Sequence, residues 1–186
     1  MPEFYHASAT PLELGTVLES RLIKKELKFQ FDAIASALNE GQLVLKSLLL
    51  ADFWHQSGNP TLGFALKETV LERIRAKEFA ERPSRYSCVF LCPTKDDIVR
   101  FRETVRKSND RPHLYLCTVE EGALPDLFEA DISFVRSANI LAPIQDQVNY
   151  LVDCARRYWQ GDKSDDPTME LLAPIGAVKI AGMADW

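Results

Sequence analysis

The sequence predicts an α+β domain. Short aromatic and β-branched runs stand near both ends and in the middle of the chain, helical-period runs separate them, and nothing divides the 186 residues into two units. No internal repeat, low-complexity tract or Gly/Ser linker interrupts it, so residues 1–186 read as one domain, large enough to bury a good core. With 46% hydrophobic and 26% charged residues the composition is that of a globular protein, which excludes a disordered chain. The net charge of -5 gives no global electrostatic case for binding a long nucleic acid, although a local basic cleft is compatible with it.

The first element, Glu3 to Ser8, is a short aromatic strand stopped by Thr10-Pro11, with His6 near its carboxyl end. Leu12 to Leu18 is an irregular segment in which Gly15 allows a turn. From Glu19 to about Ser57 two helices follow one another: Leu27, Phe31, Ile34, Ala35 and Leu38 recur at three and four, Gly41 stops the run, and Leu43 to Ala51 restart it. Trp54 and His55 are read as packing residues only. A third helix carries Leu66, Val70, Leu71 and Ile74 inward and Glu68, Glu72, Arg73, Arg75 and Lys77 on its wet face, and it ends before Arg82-Pro83.

Ser87 to Cys92 is nearly continuous in apolar residues, the pattern of a central strand buried on both faces. Arg85 at its entrance is either a solvated charge or a phosphate-facing cation. Thr94 to Asp97 has the spacing of a helix start, close to a capping box, and Ile98, Phe101 and Val105 mark the buried stripe that follows. Pro112 to Val119 is the next strand, with His113 as a structural residue. Gly122 to Asp126 breaks the order, and the following segment to Leu141 is ambiguous between helix and strand. Pro143 opens a helix striped by Ile144, Val148, Leu151, Val152, Ala155 and Trp159 and closed by Gly161.

Cys88, Cys92, Cys117 and Cys154 form no C-x-x-C pair and have no ligand-spaced histidine, so no metal is expected and buried free thiols fit a reducing compartment. No classical signal peptide opens the sequence and no apolar run approaches the ~18 residues of a membrane span. The expectation is a cytoplasmic protein, or an effector delivered into a target cytosol by a route that leaves no such signal, without a membrane partner.

Near the end, Met169-Glu170-Leu171-Leu172-Ala173-Pro174-Ile175-Gly176-Ala177-Val178-Lys179-Ile180 reads as a hairpin with a carboxylate at its mouth. Glutamate is depleted in strands. Glu170 is either a solvated edge-strand residue or a carboxylate set to hold developing positive charge beside a cleft. His6 is similarly either an idle strand residue or part of that site.

Three motifs give the chain a resemblance to the ADP-ribosyltransferase superfamily, and to its small bacterial mono-ADP-ribosyltransferases in particular. Tyr5-His6-Ala7-Ser8, followed by Leu12-Glu13-Leu14-Gly15, resembles the family's first motif. Phe90-Leu91-Cys92-Pro93-Thr94 resembles the second, and Glu170-Leu171-Leu172-Ala173-Pro174-Ile175-Gly176 the third. Gly182-Met183-Ala184-Asp185-Trp186 is similar to the ending of the rifampin-modifying members. Ala7 stands where the family has a glycine, Cys92 and Pro93 where it has small hydroxyl residues, and Thr168 where arginine-specific members carry a second glutamate.

The resemblance implies a split, antiparallel or mixed β-sheet core with a helical segment in the N-terminal half and a cleft for NAD. It implies cleavage of the nicotinamide–ribose bond through an oxocarbenium-like transition state, with NAD as substrate and no metal. In that scheme Glu170 is the catalytic carboxylate on a ribose hydroxyl, His6 binds the adenosine-side ribose, and Ala7 holds the carboxamide through its backbone, beside Ser8. Tyr86 or Phe90 stacks on the nicotinamide, Thr94 closes the second motif, and Arg85 is assigned here to the diphosphate. The ADP-ribose acceptor is an open class of protein, nucleic acid or small molecule, with its choice expected in loops such as Gly122 to Asp131. A toxin or effector of this kind would have an immunity or antitoxin partner. The alternative is a catalytically inactive relative that keeps the fold and serves as a binding or interaction module.

Overall fold

The computed structural model describes residues 2–19, 60–105, 113–136 and 144–186; the helical expectation for Glu19 to Ser57, with Trp54 and His55, lies almost wholly outside them. In chain order the elements are β1 (Glu3–Ser8), α1 (Pro60–Glu78), a 3-10 turn at Arg85–Ser87, β2 (Cys88–Leu91), α2 (Lys95–Val105), β3 (His113–Val119), a 3-10 segment at Glu121–Asp126, β4 (Phe128–Asp131), α3 (Ser133–Arg136), α4 (Ile144–Gln160), β5 (Met169–Pro174) and β6 (Val178–Ala184). The chain is therefore α+β.

The strands make two antiparallel three-stranded sheets, ordered β1-β3-β6 and β2-β5-β4. They meet where Tyr5 and Cys92 exchange backbone hydrogen bonds of 2.9 and 2.8 Å, so that β1 lies beside the end of β2. Alternation of side chains sorts the residues of β5. Leu171 and Ala173 pack toward the first sheet with Phe4, Val89, Leu91, Tyr115, Cys117, Val178 and Ile180. Leu172 faces the helices with Val70, Leu71, Cys88, Phe128, Ala155, Tyr158 and Trp159. The second sheet is thus covered on both faces, which is why β5 is apolar almost throughout. Trp159 ties the two helices together, its indole N–H donating to the Leu71 carbonyl at 2.9 Å.

Two expectations are corrected. Met169 to Ile180 is not a hairpin: β5 and β6 follow one another through a tight turn, with Gly176 at φ 85°, but belong to different sheets. The strand after Ser87 is not central: β2 pairs with β5 alone within its sheet, and its apolar run comes from burial between sheet and helices. The break at Gly122 to Asp126 is a 3-10 segment, and the described part of the ambiguous stretch after it holds both an edge strand and a short helix. Residues 15–18 run along the free edge of β6, with Gly15 N–H to Ile180 O at 2.9 Å and Leu18 N–H to Val178 O at 2.8 Å, which covers that edge.

Thr94 begins α2 as the spacing predicts. The Asp97 N–H donates to Thr94 Oγ1 at 3.1 Å, and the Thr94 hydroxyl donates to the Asp97 carboxylate. Thr94→Ala is expected to cost about 1 kcal/mol, read as a lower urea midpoint at unchanged m-value.

Candidate functional site

Glu170 sits on the middle strand of the second sheet, opposite Ala130, and its side chain shares the helix-facing side with Leu172. The two residues that lead into it are held by buried carboxylates. Asp97 Oδ1 accepts the Met169 N–H at 2.8 Å, and Asp131 Oδ1 accepts the Thr168 N–H at 3.0 Å. Asp131 also takes the Ser133 N–H at 2.9 Å and the Ser164 N–H and hydroxyl at 2.8 and 2.6 Å, so one buried carboxylate fastens the loop that leads into β5.

Burial pushes the Asp131 carboxyl up, but the hydrogen bonds from Ser164 and Ser133 outweigh it and leave the carboxyl below its usual range. Because the folded value is depressed, the stability Asp131 contributes is present above the unfolded value of about 4 and is lost as pH falls through the folded one. Asp131→Asn is accordingly expected to cost about 2 kcal/mol at neutral pH and to flatten the acid side of the stability profile, measured by urea unfolding from pH 7 downward.

The Glu170 side chain is 1% exposed and lies in a cluster with Arg85, Glu68 and Tyr158, at 4%, 2% and 0% exposure. The Arg85 guanidinium grips Glu68 with a fork, Nε to Oε2 at 2.8 Å and Nη2 to Oε1 at 2.9 Å. Its third nitrogen, Nη1, donates to the Tyr158 hydroxyl at 2.6 Å and to Glu170 Oε1. The Tyr158 hydroxyl in turn donates to the same Glu170 oxygen at 2.6 Å. The guanidinium lies 4.7 Å from the Phe90 ring centroid and 5.2 Å from that of Tyr158, so aromatic faces flank the cation.

One cation therefore faces two carboxylates in a closed apolar setting. Burial pushes the Glu170 carboxyl above its usual range; Arg85 and Tyr158 oppose this, and the Glu68 charge adds to it. The Tyr158 phenol is pushed well up by burial and remains a proton donor at neutral pH. Arg85 is driven further into its cationic form because the two carboxylates outweigh its own desolvation.

The structure brings some of the sequence-predicted residues together and leaves others apart. Arg85 joins Glu170 directly and Phe90 joins it through the Arg85 guanidinium, while Tyr86 follows Arg85 in the 3-10 turn, where Ser84 caps its N–H at 3.1 Å. Burial lifts the Tyr86 phenol to about 12, against a hydrogen bond with Thr69. His6 reaches the group through the backbone, its Nδ1–H donating to the Phe90 carbonyl at 3.0 Å. Ala7 has an ordinary negative φ, and its methyl packs at the sheet junction with Cys92, Ile98 and Leu114. Ser8 accepts the Thr10 N–H at 3.2 Å in the turn that ends β1, and Thr94 caps α2.

Arg85 is not a solvated charge; its described donors are taken by Glu68, Glu170 and Tyr158, so a diphosphate would have to exchange with one of them. Glu170 is likewise no solvated edge residue.

Sequence reasoning missed Glu68 and Tyr158. Glu68 was placed on the wet face of its helix, yet it lies three residues before Leu71, at the border of the buried stripe, and turns in to meet Arg85. Tyr158 lies three after Ala155 and seven after Leu151, at the border of the stripe on the Leu151 side, so the helical period sets it beside the buried face. A phenol there requires a partner, which Glu170 and Arg85 supply.

The four cysteines are free and buried, and burial raises the Cys88 and Cys117 thiols to about 12, which makes them poor nucleophiles. Among the described residues no helix is long and apolar enough to cross a membrane.

Fold and site together define an α+β domain of two small antiparallel sheets with a sealed carboxylate–guanidinium–phenol cluster behind one of them. A family model described as "Protein of unknown function (DUF2441)" matches residues 13–183, and the chain belongs to that family. A search of curated proteins returned no match.

Proposed function

We propose that the protein is a mono-ADP-ribosyltransferase that cleaves the nicotinamide–ribose bond of NAD and passes ADP-ribose to an acceptor. One observation carries the reading: the three strands bearing the motif residues are neighbours. β1 with His6 adjoins β2 with Phe90 through the Tyr5/Cys92 pair, and β2 pairs with β5, which carries Glu170. His6 and Glu170, 164 positions apart in sequence, are linked through Phe90 and Arg85: the Phe90 carbonyl accepts from His6, and its ring lies under the Arg85 guanidinium that donates to Glu170. A pair of antiparallel sheets split between β1 and β2 is what the resemblance calls for.

The chemistry asks little of the protein beyond grip and charge. Nicotinamide leaves as a neutral group from a cationic ring, so the ribose carbon gains positive character. A fixed carboxylate nearby stabilises that charge, and more strongly in a site that excludes water. Glu170 supplies the carboxylate, and the ordinary φ of Ala7 leaves its backbone able to stand in for glycine.

The sealed state of Glu170 favours a second reading, an inactive module in which the cluster is structural. NAD labelled in its adenylate half separates the two when incubated with the protein and a cell lysate. Transfer moves label onto an acceptor and frees nicotinamide, whereas a binding module raises its melting temperature with NAD and leaves the bond intact.

A further inference from the structure

We infer that Tyr158 and Glu68 are positioning residues that set the ionisation and orientation of the Glu170 carboxylate from opposite sides, Tyr158 by direct donation and Glu68 by competing for Arg85. The inference rests on the transferase reading of Glu170. Its basis is the way the hydrogen bonds are shared. Arg85 has three nitrogens; Nε and Nη2 go to Glu68, and only Nη1 is left for Glu170 and the Tyr158 hydroxyl. Both donors to Glu170 converge on one oxygen, Oε1, which fixes the carboxylate plane as well as its charge.

The titratable groups that face Glu170 are Glu68 from α1, Arg85 from the 3-10 turn, Cys88 from β2 and Tyr158 from α4, while β4 on its other side sets the uncharged Ala130 opposite it. The Cys88 thiol stays protonated and uncharged at neutral pH. That leaves Arg85 and Tyr158 favouring the carboxylate and Glu68 opposing it. Nothing in a purely packing role for these side chains demands such an opposition.

The two side chains can be altered with little change of shape. Tyr158→Phe keeps the ring that meets Trp159 edge-on at 4.8 Å between centroids and removes only the hydroxyl. Glu68→Gln keeps one acceptor for Arg85 and removes the rival charge, so more of the guanidinium's attraction falls on Glu170. The two variants should therefore move Glu170 in opposite directions.

The experiment titrates the Glu170 carboxyl by carbon-13 NMR, with its signal assigned by its loss in Glu170→Gln. In parallel it follows the pH profile of kcat for nicotinamide release. The expected result is a carboxyl midpoint and an acid limb of kcat that both shift to higher pH in Tyr158→Phe and to lower pH in Glu68→Gln, with KM for NAD about unchanged. At a fixed pH on that limb Tyr158→Phe is several-fold slower than the wild type and Glu68→Gln faster.

Shifts of the same sign in both variants, or none, in an enzyme whose wild type releases nicotinamide, overturn the inference and leave the transferase reading standing. A wild type that binds NAD without releasing nicotinamide overturns both. If Glu68→Gln fails to fold, Tyr158→Phe alone decides, because an unmoved midpoint there removes the direct donation on which the assignment depends.

Discussion

Arg85→Met is expected to lower the unfolding free energy by about 3–5 kcal/mol, the range found when one partner of a buried ion pair is removed and the other is left without compensation. The magnitude follows from the stoichiometry of the cluster. Arg85 is the cation that Glu68 and Glu170 both contact, and all three side chains are nearly inaccessible to water. Methionine fills much of the same volume between the Phe90 and Tyr158 rings, so the loss reports charge more than packing.

Without the guanidinium the burial that already holds the Glu170 carboxyl above its usual range loses its main opposition, so its folded-state pKa rises further above the unfolded one. The variant should then be least stable at neutral and higher pH and should recover as pH falls toward the carboxylate range. Urea unfolding at several pH values checks both amplitude and sign. Adding Glu170→Gln to Arg85→Met should return part of the loss, since it removes one of the stranded charges; such non-additivity is expected only for groups in one network.

Glu170→Gln by itself is expected to reduce nicotinamide release by about 100-fold or more, the scale of removing one well-placed electrostatic contact to a transition state. The accompanying change in stability should be no more than about 1 kcal/mol, because the glutamine oxygen can still accept from Tyr158 and Arg85 while Glu68 continues to balance the guanidinium. The separation of the two quantities is what matters. Large loss of turnover at nearly constant stability marks a carboxylate that acts on substrate. A stability loss as large as that of Arg85→Met, with no turnover to lose in the wild type, marks a structural glutamate.

Much of the fold can be read from local periodicity. The strands at β1, β3 and β5, the helices α1 and α4, and the turns at Gly15, Gly161 and Gly176, all with positive φ, follow from residues within a few positions of one another. What local pattern does not carry is which strand pairs with which. The run after Glu170 looks like a hairpin because a Pro-x-Gly turn joins two β-branched segments, but the choice of sheet depends on partners as far away as β2 and β3.

The site divides in the same way. Glu170, Arg85, Phe90 and Tyr86 stand out in the sequence as a strand carboxylate and the polar and aromatic residues around a strand entrance, and the structure gathers them. Glu68 is hidden because a charge at the edge of a helical stripe reads as solvated until its partner is known. Asp131 is hidden because a carboxylate that collects four donors from Ser133, Ser164 and Thr168 leaves no periodic trace. In both cases the decisive contact spans a long sequence separation.

The central claim is that Glu170 serves a reaction on NAD, and nicotinamide release followed by proton NMR tests it most directly, with wild type and Glu170→Gln run side by side in the presence of lysate as a source of acceptor. The account predicts release by the wild type that is nearly abolished in the variant, at closely similar melting temperatures. Release that persists in Glu170→Gln, or a wild type that liberates no nicotinamide, would contradict it.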